Sequence, residues 1–434
     1  MSASETPPDS LTDAKASFDA AAPETAAPAS PQADPQQADP PARSAAEVFR
    51  IFLRLGLTCF GGPVAHLGYF RDEFVVRRRW LGEAAYADLV ALCQFLPGPA
   101  SSQVGMAIGL QRAGLAGMGA AWLGFTLPSA LIMLAVAYGV GHFGSVGGGW
   151  LAGLKAAAVA IVAQAVLGMA RALCPDMPRR SIALVAAAAT AVSGTTGQIA
   201  VIIGGGLVGL ALLAADERTG ETPEPVRVPR RLALGALAAF VLLLLALPIL
   251  ARTSGASSGS SWLTLFDALY RAGALVFGGG HVVLPLIEAE LVHPGGLTRE
   301  AFLAGYGAVQ AVPGPLFSFA AYVGAMMPTA PNGALGAAIA LVAVFLPSAL
   351  LIYGALPFWN RLSHSTQARS ALAGVNAAVV GLLGAAFWNP VTLAGITSPS
   401  SFALALIAYT ALTQWRVPVW AIVVGAALAG ALVL

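Results

Sequence analysis

The chain contains an internal repeat that relates two segments of about 200 residues each. Four short blocks occur twice in the same order, and each second copy lies 216 to 221 positions after the first. The blocks are Phe60-Gly61-Gly62 with Phe277-Gly278-Gly279, 94–99 with 310–315, 127–131 with 346–350, and 153–157 with 374–378. Four ordered matches indicate duplication, so we expect two halves with the same architecture.

The amino-acid composition is that of a membrane protein. Hydrophobic residues make up 57% of the 434 residues and charged residues only 10%, whereas a soluble domain carries roughly 25% charged residues. The sequence therefore predicts an all-α polytopic membrane protein and excludes a nucleic-acid-binding protein. Neither a metal-ligand motif nor a nucleophile–base set stands out, so we expect a protein without a cofactor that is not an enzyme.

The segments outside the repeats have different compositions. Residues 1–44 hold 12 Ala, 8 Pro and seven acids against two bases, which predicts a disordered acidic tail. The first repeat then spans 45–214, and the second spans 262–434. Between them lie a polar linker at 215–231, expected in the cytoplasm, and an apolar run at 232–251 of the length of one transmembrane helix.

One extra span between two copies inverts the second copy relative to the first. The charges of the loops favour this arrangement, because cytoplasmic loops collect Lys and Arg. Loop 71–82 carries four arginines, whereas its counterpart at 288–300 carries three glutamates and one arginine. The two loops are therefore expected on opposite sides of the membrane.

The Phe-Gly-Gly and Pro-Gly-Pro blocks interrupt their apolar segments, because glycine and proline disfavour a continuous helix. Each broken segment is either an interrupted span or a re-entrant hairpin. If all four are hairpins, 15 Lys and Arg lie on the cytoplasmic side and two lie outside. We therefore predict two hairpins and four spanning helices in each half, with a cytoplasmic N-terminus and a periplasmic C-terminus.

An arginine precedes each Phe-Gly-Gly block by six residues, Arg54 in the first copy and Arg271 in the second. A charge at the depth of the bilayer is costly and usually faces a partner or a wet cavity. Two such arginines favour a symmetric anion site. The alternative is that they reach the lipid headgroups or cap the base of a hairpin.

Broken helices expose backbone amides that hold anions, and transporters with inverted repeats place them around the substrate. The blocks therefore supply the remaining substrate-binding candidates, unless their Gly and Pro serve only tight packing. These are Gly61, Gly62, Gln94, Pro97, Gly98, Pro99, Ser101 and Ser102 in the first copy, and Gly278, Gly279, Gln310, Pro313, Gly314, Pro315 and Ser318 in the second.

Four further polar residues are candidates for proton coupling or for supporting the site. Lys155 and Asn376 occupy matching positions after the third segment of each half, and His66 and His281 follow the glycine tips. Histidine can carry a proton near neutral pH. Each also has a purely structural interpretation, as a side chain that reaches the headgroups or as an ordinary polar residue.

The blocks together resemble those of the chromate ion transporter family in its two-domain bacterial form. The resemblance covers residues 45–434 and rests on Phe60-Gly61-Gly62-Pro63, Gln94 to Pro99 and their second-half counterparts. It implies an inner-membrane transporter that exports chromate, confers chromate resistance and uses the proton-motive force. Some members of the family are associated with sulfate instead.

Chromate and sulfate are tetrahedral dianions of similar size, so charge alone does not separate them. Import of sulfate or a related oxyanion by the same fold is therefore an alternative, and a passive anion channel is another. The lipid bilayer is the surrounding partner, and a homodimer is an assembly that the sequence leaves open.

Overall fold

A computed structural model describes residues 44–60, 62–143, 148–193, 197–213, 228–253, 262–277, 280–292, 296–359 and 365–434. Within these ranges the chain forms sixteen α-helices and no strand. The predicted tail lies outside the described residues except for Ser44, which caps the first helix by accepting a hydrogen bond from the Glu47 N–H. Most of the predicted linker also lies outside them.

The helices divide between the two predicted repeats. The first half comprises α1 Ala45–Thr58, α2 Gly62–Arg71, α3 Glu83–Phe95, α4 Ala100–Phe143, α5 Gly149–Leu173, α6 Met177–Ser193 and α7 Gln198–Leu212. Helix α8, Arg230–Thr253, follows the linker. The second half comprises α9 Trp262–Ala274, α10 Val283–Leu291, α11 Arg299–Val309, α12 Phe319–Ala325, α13 Gly333–Ala355, α14 Thr366–Ala386, α15 Pro399–Thr413 and α16 Val419–Val433.

Five of the described helical stretches are long and apolar enough to cross a membrane. They are 100–141, 149–173, 230–253, 333–358 and 366–395. Shorter apolar helices, including α7, α15 and α16, accompany them. The prediction of an all-α polytopic membrane protein is thus confirmed, whereas the inversion of the second half stays a prediction.

Helix α4 is two antiparallel arms joined at a sharp reversal. Ala113 and Gly114 leave the helical conformation, and Gly114 adopts a left-handed φ of 62°. The arms then pack so closely that a Cβ on Gly109 would collide with the Gly117 carbonyl. Small residues allow helices in a membrane to approach in this way.

The second half repeats this reversal with a longer turn between α12 and α13. A Cβ on Gly324 would collide with the Gly336 carbonyl, and the converse also holds. Each half therefore has a helix that follows its Pro-Gly-Pro loop, reverses and continues as a long apolar helix. These reversals lie after the Pro-Gly-Pro loops and not at them, so the re-entrant hairpins stay a prediction.

Corresponding loops of the two halves hold corresponding ion pairs with their charges exchanged. The Arg71 guanidinium lies 2.6 Å from the Glu83 carboxylate in the first half. In the second half the acid comes first, and Glu288 lies 3.4 Å from Arg299. The loops thus keep one local contact while they differ in net charge.

The buried core joins the halves rather than separating them. Phe52, Phe70, Phe74 and Phe125 pack edge-to-face or stacked in the first half. The end of α13, from the second half, contributes residues to the same cluster. This interleaving places the broken segments of both halves at the centre of the fold.

Candidate functional site

Each Pro-Gly-Pro loop is hydrogen-bonded to the opposite half, just before its Phe-Gly-Gly block, and we call this pair of reciprocal contacts the crossing. The Gly98 N–H donates to the Val276 carbonyl at 2.7 Å, and the Gly314 N–H donates to the Cys59 carbonyl at 2.9 Å. Each acceptor immediately precedes the phenylalanine of a Phe-Gly-Gly block in the opposite half. The two bonds are therefore equivalent under the internal repeat, and each half is tied to the other by its own loop.

The glycines in these loops are required by their backbone conformation and by close approach. Gly98 has a φ of 128° and Gly314 a φ of 98°, in the region that favours glycine. A Cβ on Gly98 would collide with the Ser348 hydroxyl, and one on Gly314 would come within 3.0 Å of the Ser129 hydroxyl. Ser348 and Ser129 belong to the repeated Leu-Pro-Ser block, so a serine from the opposite half lies against each loop.

Several buried polar groups around these loops have no partner among the described residues. They are the hydroxyls of Ser102, Ser318 and Ser348 and the side-chain oxygen of Gln103. All four residues are at least 97% buried. An unpaired buried polar group costs about 1–3 kcal/mol, so each such group calls for a partner such as a water or an ion. The hydroxyls beside the loops are therefore candidate donors to a bound anion.

The two glutamines predicted for the site are placed differently. Gln94 is exposed, and the amide beside the first loop is that of Gln103, whose Nε2 donates to the Pro97 carbonyl at 2.7 Å. The Gln310 amide nitrogen is buried without a well-formed hydrogen bond and lies beside the Tyr306 hydroxyl. The structure therefore brings Gln310, but not Gln94, into the buried region.

The Pro-Gly-Pro prolines Pro99, Pro313 and Pro315 are buried together with the glycines, and Pro97 is half-buried. Gly62 begins α2 with a φ of 77°. Gly61, Gly278 and Gly279, which the sequence also assigned to the site, lie outside the described residues.

Each histidine joins the first broken segment of its half to the second. His66, 99% buried, lies with its Nδ1 3.3 Å from the Ser101 hydroxyl on α4. His281 lies with its Nδ1 2.6 Å from the Tyr306 hydroxyl on α11. Ser101 is therefore not a free hydroxyl, unlike its neighbour Ser102.

The two arginines do not form the predicted pair of buried cations. The expected burial of Arg54 is wrong, because its side chain lies on the exposed face of α1. The reason is the helical period: the buried face of α1 carries Ile51, Phe52 and Leu55. Arg54 forms no ion pair with any described residue.

Arg271 is half-buried, and its charge is already neutralised. Its guanidinium contacts the Asp267 carboxylate one turn earlier and the Glu290 carboxylate beyond the hairpin, each through two nitrogens. Two carboxylates around one guanidinium leave no excess positive charge for a further anion. The idea that two free arginines form a symmetric site does not fit this arrangement.

Lys155 and Asn376 are both half-buried, on α5 and α14. Lys155 forms no ion pair within the described part of the chain. The Asn376 side-chain oxygen is buried without a hydrogen-bond partner there. Lys155 follows Leu154, whose carbonyl lies so close to Gly307 of α11 that no Cβ would fit, so this cation sits in a helix that packs on the second half.

The family model described as chromate transporter matches residues 46–210 and 263–431. The chain belongs to this family. It is 32% identical over 368 residues to a chromate transport protein of Pseudomonas aeruginosa, covering 83% of this chain and 84% of the relative.

Two further relatives have similar coverage. A probable chromate transport protein of Synechococcus elongatus is 29% identical and covers 90% of this chain and 96% of its own length. A chromate transport protein of Cupriavidus metallidurans is 28% identical, with 78% and 80% covered. No solved structure gives a significant match. The two matched stretches of this chromate transporter coincide with the two predicted repeats, and the chain is a multi-pass membrane protein.

Sequence reasoning missed two polar residues next to the loops of this family member. Gln103 lies only four residues after Pro99, and Ser348 belongs to a block that was recognised as repeated but given no chemical role. A serine that follows proline in both copies was a usable signal for Ser348. The carboxylates around Arg271 were harder to foresee, because Glu290 contacts it from a different helix.

Proposed function

We propose that this protein is a secondary active transporter that exports chromate across the inner membrane, driven by the proton-motive force, and that it gives chromate resistance. Membership of the chromate transporter family supports the substrate. The observation that carries the site is the crossing, the two reciprocal bonds from the Pro-Gly-Pro loops to the opposite halves, with hydroxyls nearby at Ser102, Ser318 and Ser348 that have no partner among the described residues.

The donor chemistry of this region suits a tetrahedral oxyanion. Hydroxyls and amides donate to an anion without the fixed charge that would hold it permanently. Ser102 lies in the first turn of α4, where backbone N–H groups add positive potential. A chromate ion at this crossing would contact both halves at once, so movement of one half against the other would alter its binding.

The charge of the dianion still needs compensation. Arg271 is paired with two carboxylates and Arg54 is exposed, so we assign this role to Lys155, which is half-buried and forms no ion pair in the described part of the chain. A flexible lysine suits a transport site because its single charge attracts an oxyanion without a rigid two-bond contact.

We place the N-terminus in the cytoplasm and the C-terminus in the periplasm. The arginine count of the two loops, four in 71–82 against one in 288–300, supports opposite sides of the membrane for them. His66 and His281 are our candidates for carrying the coupled proton, since each joins two broken segments of its half.

Uptake of labelled chromate into everted membrane vesicles tests this function. Accumulation above that of vesicles without the protein, lost on adding an uncoupler, is the expected result for energised export. Uptake only into right-side-out vesicles, inhibited by excess sulfate, would instead establish oxyanion import. Flux that follows voltage, does not saturate and ignores the proton gradient would establish a channel.

A further inference from the structure

A groove of about 460 Å³ lies beside the first Phe-Gly-Gly block. Phe60 and Tyr69 line one wall, and the turn at 412–420 between α15 and α16 lines the other, with Gln164 of α5 also at its surface. The Phe60 and Trp420 rings face each other across it with centroids 6.5 Å apart. The volume exceeds what one tetrahedral oxyanion with its hydration water needs.

Arg416 is the cation of this groove, and no acidic residue is among the residues that line it. Its side chain is exposed and forms no ion pair with any described residue. The guanidinium is therefore available to attract an anion into the groove, an attraction that salt should screen.

The backbone of Arg416 is held in an unfavourable conformation. Its φ of 54° lies in the left-handed region, at the position after a helix where glycine is the common choice. Hydrogen bonds on both sides fix the turn, from the Gln414 N–H to the Thr410 carbonyl and from the Val417 N–H to the Ala411 carbonyl. An arginine at this strained position points to a role for its side chain.

One wall of the groove is next in the chain to a residue of the crossing. Its wall residue Phe60 directly follows Cys59, whose carbonyl accepts the hydrogen bond from Gly314. In the orientation proposed above, the turn that carries Arg416 faces the cytoplasm, the side from which an exporter takes its substrate.

We propose that this groove is the site at which the oxyanion first binds, with Arg416 as its cation and the side chains of Gln164 and Tyr69 as hydrogen-bond donors. This inference rests on the proposed function, since it takes chromate as the anion. Anionic lipid headgroups offer the same chemistry to an arginine, so the experiment separates the two sources.

The test is chromate counterflow in proteoliposomes, which needs neither a proton gradient nor a uniform orientation of the protein. The variants are Arg416→Gln, Arg416→Lys and Tyr69→Phe, with Arg231→Gln as the matched control. Arg231 is an exposed arginine in the first turn of α8 that does not line the groove and lies on the same proposed side. Each protein is assayed at low and high ionic strength, in phosphatidylcholine alone and with added phosphatidylglycerol.

We expect Arg416→Gln to raise the chromate KM roughly tenfold at low ionic strength, with little change in maximal rate, and to flatten the salt dependence of kcat/KM. Arg416→Lys should restore most of the loss, Tyr69→Phe should raise KM less, and Arg231→Gln should match the wild type. These effects should be the same in both lipid compositions.

Two results would overturn the inference while leaving the proposed function intact. One is an Arg416→Gln protein with the KM and salt dependence of the wild type. The other is an effect seen only with phosphatidylglycerol, which would make the groove a headgroup site. A wild-type protein that exchanges no chromate would remove the proposed function and this inference together.

Discussion

Replacing Ser348 by alanine should make the protein more stable and a poorer transporter. Its hydroxyl is fully buried, lies against Gly98 and has no partner among the described residues. The equivalent serine of the first half, Ser129, donates to the Thr126 carbonyl at 2.9 Å and is satisfied within its own helix. Ser129→Ala is therefore the matched control, at the same position in the repeat.

The two expected magnitudes have opposite signs. Removing a buried hydroxyl that has no partner should relieve part of a desolvation penalty of about 1–3 kcal/mol, so the free energy of unfolding should rise by about 1 kcal/mol. Losing a hydrogen bond from that hydroxyl to a charged oxyanion should cost about 1.5–3 kcal/mol, which is roughly a 10- to 100-fold increase in the chromate KM.

Thermal inactivation in detergent and chromate counterflow in proteoliposomes measure the two effects separately. Ser129→Ala should lose up to about 1 kcal/mol of stability and keep a KM close to that of the wild type. A Ser348→Ala protein that is less stable than the wild type and has an unchanged KM would refute the reasoning, because its hydroxyl would then serve only the fold.

Three other substitutions test separate parts of the structure. Gly98→Ala should greatly reduce the amount of folded protein recovered from membranes, because the added Cβ would collide with its neighbours at a φ that favours glycine. A size-exclusion profile measures this, and a normal profile would contradict the crossing. Arg271→Gln should leave the buried Asp267 carboxylate without its partner, at a cost of up to about 3 kcal/mol. Adding Asp267→Asn should recover part of the lost protein, and no recovery would contradict the ion cluster. Burial raises the pKa of Glu288, in the loop at 288–300, to about 7, against the opposing effect of Arg299. Between about pH 4.5 and pH 7 the folded protein holds a proton that the unfolded chain releases. The free energy of unfolding should therefore fall by up to about 3 kcal/mol as the pH rises from about 4.5 to 7. Glu288→Gln should remove this pH dependence.

Much of the fold could be predicted from the sequence because helical membrane proteins must satisfy their backbone within each segment. The long apolar runs of the sequence form helices such as α5 and α13. The Pro-Gly-Pro blocks do break their segments, whereas the re-entrant hairpins stay a prediction. The internal repeat made these inferences possible, because a break or an apolar run that occurs at the same position in both halves is less open to chance than one that occurs once.

The site was harder to predict because burial and pairing depend on contacts between distant segments. Arg54 and Arg271 occupy equivalent positions, yet one is exposed and the other lies between two carboxylates. The local sequence gives part of the difference, since Asp267 precedes Arg271 by four residues where Arg50 precedes Arg54. The other part is Glu290, which reaches Arg271 only through the fold. The bonds from Gly98 and Gly314 to the opposite half were unforeseeable for the same reason.

Both bonds at the crossing join main-chain atoms, and this affects how the family can diverge. A side-chain substitution removes neither the donor nor the acceptor, so the crossing is compatible with extensive change elsewhere. At Gly98 and Gly314, proline would delete the N–H group, and a larger residue would be excluded by the backbone conformation and neighbouring atoms. Side chains around the crossing can therefore change in evolution while the connection between the two halves persists.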